Sequence, residues 1–143
     1  LSLSQNQLTG GVQASLGKCT KLKTLKLDAN QLEGPIPDEL GQCGVLEQLS
    51  LDENELTSGV PASLGKCAKL EVLDLQQNQL TGHVAAILGK CAKLTTLKLN
   101  ANQLEGAVPA SELAALTALT VLYLQKNKGL TITASEAQAL KKA

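Results

Sequence analysis

The sequence predicts an α/β solenoid in which stacked repeats form one parallel β-sheet and a helix covers the C-terminal end. Three observations support this fold class: a pattern of leucines recurs six times, polar and apolar residues alternate within each copy, and the last residues form a helical pattern. The copies begin 24 residues apart, with 25 before the last, at Leu1, Leu25, Leu49, Leu73, Leu97 and Leu122. Because one copy cannot bury its own apolar side, such copies are stable only when they stack on their neighbours.

Each copy begins with a short segment in which apolar and polar residues alternate, as Leu25, Lys26 and Leu27 do. Alternation with a period of two is typical of a half-buried strand, so stacking predicts one strand from each coil in a parallel sheet. An asparagine follows this strand in every copy: Asn6, Asn30, Asn54, Asn78, Asn102 and Asn127. We expect its buried amide to bond the backbone groups that the turn out of the strand leaves unpaired.

The C-terminal end departs from the repeat. After Leu124 the pattern fades, and the segment Thr133-Ala134-Ser135-Glu136 forms a capping box in front of residues 137–142. We therefore divide the chain into leucine-patterned repeats over residues 1–130, about five to six coils with the first incomplete, and a C-terminal capping helix over residues 131–143.

The composition excludes several classes of function. Among 143 residues there are 13 lysines and 13 acidic residues, which gives zero net charge, and there is no arginine. Arginine supplies the bidentate geometry with which proteins read nucleic acids, so we expect no nucleic-acid partner. No segment approaches the roughly 20 apolar residues of a membrane span, so we expect none in this sequence.

Cysteine and histidine are the residues that could indicate a metal or a catalytic site. The cysteines Cys19, Cys43, Cys67 and Cys91 recur every 24 residues, and a stacked ladder of this kind cannot converge on one tetrahedral zinc. We expect four free, buried, slowly reacting thiols. His83 is the only histidine, and the repeat fixes no proton-transfer partner beside it. The sequence therefore predicts no catalytic residues, no metal and no cofactor, and hence no enzyme.

The segment LKTLKLDANQLEGPIPDELGQC, from Leu22 to Cys43, resembles the plant-type leucine-rich repeat almost position by position. That family includes the outer portions of receptor-like kinases and polygalacturonase-inhibitor-like proteins. The resemblance, over residues 1 to about 130, implies a right-handed coil with the sheet on the concave face and short 3-10 or loop segments on the convex face. It also implies an extracellular protein, but sequons, a signal peptide and cysteine-rich caps are missing from this sequence, so a cytoplasmic location stays equally open.

Repeat proteins bind partners through the concave side that their strands line, and there the outward positions vary while the inward leucines do not. Acidic residues gather on the earlier coils, which favours a partner with a basic complement, and Tyr123 is the only aromatic residue and the best candidate for a contact anchor. The candidate partner-binding residues are Lys26, Asp28, Glu47, Ser50, Asp52, Glu53, Glu71, Asp74, Lys98, Asn100 and Tyr123.

We therefore predict a non-enzymatic module that binds a protein or a peptide on its concave face. Two alternatives stay open. The chain could be a regulatory or spacer segment of a larger receptor or signalling protein, or it could bind a surface array such as ice or a polysaccharide, which a ladder of identical threonines would favour. The sequence indicates neither the identity of the partner nor the oligomeric state.

Overall fold

The structure is a computed structural model that describes residues 1–84, 91–108, 110–135 and 138. Within these residues the chain winds through successive coils and forms three parallel sheets, which confirms the predicted leucine-rich repeat solenoid. The described strands are β1 (Thr9–Gly11), β2 (Thr24–Lys26), β3 (Gln31–Pro35), β4 (Gln48–Ser50), β5 (Glu55–Thr57), β6 (Val72–Asp74), β7 (Thr81–His83), β8 (Thr96–Lys98), β9 (Gln103–Ala107), β10 (Val121–Tyr123) and β11 (Gly129–Thr131).

The largest sheet contains the five strands β2, β4, β6, β8 and β10, one from each of five coils, in sequential order. Equivalent leucines pair across it without any stagger: Leu25 faces Leu49, Leu49 faces Leu73, and so on to Leu122. The first copy of the repeat joins its edge through the bridge between Ser2 and Lys26 and through the 2.8 Å bond from the Leu3 amide to the Lys26 carbonyl. All six predicted copies therefore contribute to one continuous row.

Two further sheets lie after the asparagine turn, and the sequence reasoning did not predict them. One contains β1, β3 and β5, and the other contains β7, β9 and β11. Their pairing is staggered: Gly10 faces Leu32 and Gly82 faces Leu104, although Leu8 and Leu80 are the repeat equivalents of those leucines. Successive coils are thus displaced by two residues along this flank while they stay aligned along the largest sheet.

The convex side carries short 3-10 helices, as the family resemblance implied. These helices span Ala14–Lys18, Asp38–Gln42 and Ala62–Lys66, and the coil with the inserted residue has an α-helix at Ala110–Ala114 instead. They approach closely, because a Cβ at Gly41 would overlap the Ser63 backbone. Most of the predicted capping helix, including residues 136, 137 and 139–143, lies outside the described residues. The helix and the boundary at residue 130 therefore stay predictions.

The interior is filled by the leucines that the repeat places inward. Leu49, Leu73 and Leu97 of the largest sheet are fully buried, and so are Leu56 and Leu80 after the asparagine turn. Valine and isoleucine close the coil on the opposite side, at Val12, Ile36, Val60, Val84 and Val108. With no phenylalanine, tryptophan or methionine in the chain, this core is aliphatic apart from the cysteines.

The conserved spacing of the asparagines produces a ladder of hydrogen bonds between coils. The Asn78 side-chain amide donates to the Leu51 carbonyl of the preceding coil (3.0 Å) and to the Leu75 carbonyl of its own strand (3.3 Å). Its Oδ1 accepts a 2.9 Å bond from the Leu56 amide. The same pattern recurs at Asn30, Asn54, Asn102 and Asn127. The predicted backbone-bonding role is thus seen at these five asparagines, whereas Asn6 is exposed and donates only to carbonyls of its own coil.

Replacing Asn78 by alanine should lower the free energy of unfolding by roughly 1 to 3 kcal/mol, because it leaves the buried Leu56 amide without a partner. It also removes one of the two donors to the Leu51 carbonyl, which keeps its bond from Asn54. Urea unfolding followed by circular dichroism measures the loss. Asn6 provides the matched control, since its amide reaches only Leu3 and Ser4 of its own coil, and Asn6→Ala should cost less than about 1 kcal/mol. Equal losses at the two positions would contradict the ladder.

One turn position carries a local strain. Gly10, Gly34, Gly82 and Gly106 occupy equivalent places with φ between 75° and 84°, and the third coil has Ser58 there with φ of 66°. A residue with a Cβ is disfavoured in the left-handed region, whereas glycine adopts it freely. The chain therefore holds Ser58 in an unfavourable conformation at the point where β5 ends and the first flanking sheet stops.

Ser58→Gly should raise the free energy of unfolding by about 0.5 to 1 kcal/mol, because the relieved strain exceeds the added entropy of a glycine in the unfolded chain. Gly34→Ser is the matched reverse substitution. No heavy atom lies within 4 Å of a Cβ built at Gly34, so it should be destabilising through the backbone alone. Thermal melts compare both variants with the parent chain, and a stabilising Gly34→Ser would refute the strain argument.

Candidate functional site

Eight of the eleven candidate contact residues lie in two parallel rows on the concave face, whereas Glu47 and Glu71 precede β4 and β6 and Glu53 follows Asp52. The first row is formed by the last residues of the strands, which pair in register: Lys26, Ser50, Asp74, Lys98 and Tyr123. Ser50 and Asp74 are only 7% exposed, whereas Tyr123 is 45% exposed at the last strand of the sheet. The row is therefore sunken at its centre and offers an aromatic ring at one end.

The second row lies two residues further along each coil and contains Ser4, Asp28, Asp52, Gln76, Asn100 and Gln125. Backbone bonds continue the ladder here, since the amide of Ala29 donates to the carbonyl of Asp52 (2.9 Å) and the amide of Gln77 donates to that of Asn100 (3.0 Å). Asn100 also carries a buried Oδ1 for which the described residues provide no hydrogen-bond donor. Polar side chains thus run across every coil of the concave face.

An ion pair joins two residues of the first row on the neighbouring strands β6 and β8. Lys98 Nζ donates to Asp74 Oδ2 at 2.8 Å, with only 29% and 10% of the two side chains exposed. The hydrogen bond to Asp74, followed by the charges of Asp74 and Asp52, raises the pKa of Lys98 against the lowering effect of its burial. In the sequence Lys98 follows the acidic residues by one coil. In the structure it contacts the last of them, Asp74, because β6 and β8 are neighbours.

Three other acidic candidates have partners one coil away. Lys23 pairs with Glu47 at 3.1 Å in an exposed position, Ser4 Oγ donates to Asp28 Oδ1 at 2.6 Å, and Gln77 Nε2 donates to Glu53 Oε1 at 3.1 Å. Each pair, like Asp74 and Lys98, is separated by 24 residues. The repeat length could therefore have identified these partners from the sequence, whereas column-by-column reading missed them.

Asp52 differs from these carboxylates because no side chain among the described residues donates to it. It is half-buried, and burial raises its pKa to about 6, with further upward contributions from Asp74, Asp28 and Glu53 and an opposing one from its own backbone N–H. Glu71, the remaining acidic candidate, is exposed at the entrance of β6. The concave face thus holds one carboxylate that is electrostatically uncompensated and another that is freely solvated.

The cysteine ladder corrects one expectation. Cys43, Cys67 and Cys91 are free and fully buried as predicted, but Cys19 is exposed. Cys19 lies in the first coil of the structure, and the Cys43 thiol points to the Leu16 carbonyl of that coil (3.5 Å). Burial raises the pKa of Cys67 to about 11, with added contributions from Cys43 and Cys91.

The remaining candidate chemistry is sparse in the described part of the chain. His83 is exposed, and its Nδ1 lies 3.2 Å from the Glu105 carbonyl, so it contacts backbone and not an acidic side chain. No group of three metal-ligating side chains occurs among the described residues. None of the helices in those same residues has the length and apolar character of a membrane span.

Comparison with known proteins gives one family. The model of the Leucine Rich Repeat family matches residues 21–43, 45–67 and 69–91. No curated protein sequence matches the chain.

Solved structures resemble this chain over more than nine tenths of its length. The ectodomain of the receptor kinase SOBIR1 from Arabidopsis thaliana has a TM-score of 0.87 and 28% identity over 94% of this chain and 72% of that one. A chain of the BIR3–SERK2 complex from the same plant has a TM-score of 0.81 and 33% identity over 92% of this chain and 68% of that one. A third similar chain comes from the Arabidopsis complex of the receptor kinase HAESA with the peptide hormone IDA and the co-receptor SERK1. It has a TM-score of 0.88 and 32% identity over 99% of this chain. This chain spans only 24% of that last one.

The environments of the cysteines predict two classes of thiol. In native buffer at pH 8, Ellman's reagent should titrate one thiol within minutes, at Cys19, and the other three only after denaturant is added, because they are buried. Cys19→Ser should remove the fast phase and leave the slow phase unchanged. A fast phase of more than one equivalent would contradict the buried ladder.

Proposed function

We propose that this chain, which belongs to the leucine-rich repeat family and carries its plant-type repeat, is a module that binds a peptide or protein partner on its concave face. The observation that carries the proposal is the pair of polar rows that cross every coil of the largest sheet. Membership of the family gives the scaffold, and the side chains of these rows give the chemistry of recognition.

The concave rows lie outside the leucine core, although Ser50 and Asp74 in the first row are themselves buried. Inward positions are occupied by leucines with no exposed surface, such as Leu49 and Leu73, and the turns are fixed by the asparagine ladder. The outward positions hold Lys, Ser, Asp, Tyr and Gln in no repeated order. The same positions are where a partner laid across the sheet would touch every coil.

Charge on this face favours a cationic partner. Six acidic residues lie on or next to β2, β4 and β6: Asp28, Glu47, Asp52, Glu53, Glu71 and Asp74. The lysines Lys23 and Lys98 offset only Glu47 and Asp74 by direct pairing. An excess of uncompensated carboxylates steers basic ligands toward the surface and weakens with salt. Tyr123 supplies the exposed aromatic contact at the other end of the face.

Related structures support a peptide or protein ligand. The similar HAESA chain comes from a complex with a peptide hormone and a co-receptor, and the similar BIR3–SERK2 chain comes from a complex of two proteins. We extend this mode of use, and not the identity of those ligands, to the present chain. A binding role without catalysis also fits the single histidine, whose ring nitrogen contacts a backbone carbonyl.

A synthetic lysine-rich peptide of ten residues, with blocked termini, provides a defined probe. Isothermal titration calorimetry at low salt should detect its binding, and a glutamate-rich peptide of equal length should not bind. The double variant Asp52→Lys and Glu71→Lys should weaken the affinity at least about tenfold, because it reverses the two carboxylates that lack a side-chain partner.

Glu55→Lys and Glu105→Lys form the matched control, since both residues are exposed on the flanking sheets β5 and β9 and outside the concave rows. This control alters the net charge by the same amount and should change the affinity less than about twofold. If the control weakens binding as strongly as the concave variant, attraction to overall charge explains the result and the concave site is refuted.

A further inference from the structure

Asp52 occupies a singular position among the carboxylates of the concave face. It follows β4, and the adjoining coils place Asp28 on one side of it and Gln76 on the other in the second row. Parallel strands lie about 4.8 Å apart, so side chains in one row are near neighbours. Asp52 is partly buried, which reduces the solvent that screens those neighbours.

The groups that face Asp52 are mainly negative. Asp28 lies beside it in the second row on the preceding coil, Asp74 belongs to the first row on the following coil, and Glu53 is its own neighbour in the chain. The charges of Asp74, Asp28 and Glu53 all raise the pKa of Asp52. Lys98, the cation near enough to respond to the charge of Asp52, already donates to Asp74 at 2.8 Å. Lys26 precedes Asp28 in the first row and has no ion pair among the described residues.

The flanking carboxylates have hydrogen-bond donors that Asp52 lacks. Ser4 donates to Asp28, Lys98 donates to Asp74, and Gln77 donates to Glu53. No side chain in the described part of the chain donates to Asp52, and only its own backbone N–H acts to lower its pKa. Burial and like charges both disfavour the ionised form of a carboxyl group, and a single backbone donor offsets them only in part.

We propose that Asp52 is a pH-sensitive switch of the concave face, which is negatively charged at neutral pH and becomes neutral as the solution turns mildly acidic. The regulatory consequence rests on the proposed function: a cationic partner binds when Asp52 is ionised and is released when it is protonated. The switch needs no movement of the backbone, because the proton alone removes one charge from the centre of the surface.

The raised pKa of Asp52 makes the stability of the folded chain depend on pH. Burial and the neighbouring carboxylates raise the Asp52 pKa to about 6 in the folded chain, whereas the pKa of an aspartate in an unfolded chain is about 3.9. The folded state therefore holds the proton more tightly, so the stability that protonation contributes is fully present below about pH 4 and is lost as the pH rises through 6. At pH 7.5 the ionised Asp52 is a destabilising residue.

The first experiment follows the Asp52 carboxyl carbon by nuclear magnetic resonance from pH 3.5 to 8, assigned with the variant Asp52→Asn. We expect a midpoint near pH 6, and a lower one in Asp74→Asn, which removes a facing charge and frees Lys98. Glu55→Gln on β5 is the control and should leave the midpoint unchanged. A midpoint below pH 5 in the parent chain would overturn the switch.

The second experiment measures urea midpoints at pH 7.5 and pH 5. Asp52→Asn should unfold at a higher urea concentration than the parent chain at pH 7.5, and this advantage should shrink at pH 5, where Asp52 gains its proton. An advantage that is unchanged or larger at pH 5 would also overturn the switch, because the linkage would then have the wrong sign.

The third experiment titrates the lysine-rich peptide at pH 7.5 and pH 5.5, where the charge of the peptide itself is constant. The affinity of the parent chain should fall several-fold at the lower pH, and Asp52→Asn should bind weakly at both values. If the carboxyl midpoint lies near 6 but the peptide fails to bind at either pH, the proposed function fails and the switch stands. If the peptide binds with a pH dependence that Asp52→Asn retains, the switch is refuted and the binding function stands.

Discussion

The asparagine ladder is the interaction on which the rest of this structure depends. Each coil leaves its strand through a residue with positive φ, at Gln5, Ala29, Glu53, Gln77, Ala101 and Lys126, and the turn would bury unpaired backbone groups. One amide satisfies them in both directions, because Asn102, for example, donates to Leu75 and Leu99 and accepts from Leu80. Since those partners belong to the coil before as well as to its own, the same side chain closes the turn and fixes the spacing of coils. An isolated coil would lose both effects together.

The residues that stabilise the fold are largely different from those that face outward on the concave side. The leucines face inward and the asparagines close the turns, so the outward residues of the strands lie outside the leucine core. They interact instead with each other across a constant distance of one coil, which explains why the side-chain bonds of the concave face join residues 24 apart. Two such bonds are ion pairs that neutralise Glu47 and Asp74. What stays uncompensated, above all Asp52, is what a partner of opposite charge would meet, and the local pH would set how much charge it meets.

The chain is similar to plant receptor ectodomains, and one similar chain comes from a complex of the receptor kinase HAESA with a peptide hormone and a co-receptor. The surface chemistry here is unusual for an interface, since arginine, tryptophan and phenylalanine are missing and Tyr123 is the only aromatic side chain. Interfaces usually draw much of their energy from those residues. Under the proposed function, recognition depends on charge and hydrogen bonds spread over several coils, which makes the electrostatic state of each carboxylate important.

The sequence by itself determined the repeat length, the strand of each coil, the inward leucines, the bonding role of the asparagines and the rows of the concave face, because a constant period forces equivalent residues into one column. Only the tertiary structure decided the features that depend on which coil lies beside which. The flanking sheets arise from staggered pairing between coils, Cys19 lies exposed in the first coil of the structure, and Ser58 is strained because its neighbours impose the turn of a glycine. Asp52 is the clearest case. The sequence identifies it as an acidic residue, but its elevated pKa comes from burial and from Asp74 and Asp28 on the adjoining coils. Such energies depend on distance and on solvent, and both are set only when the coils are stacked.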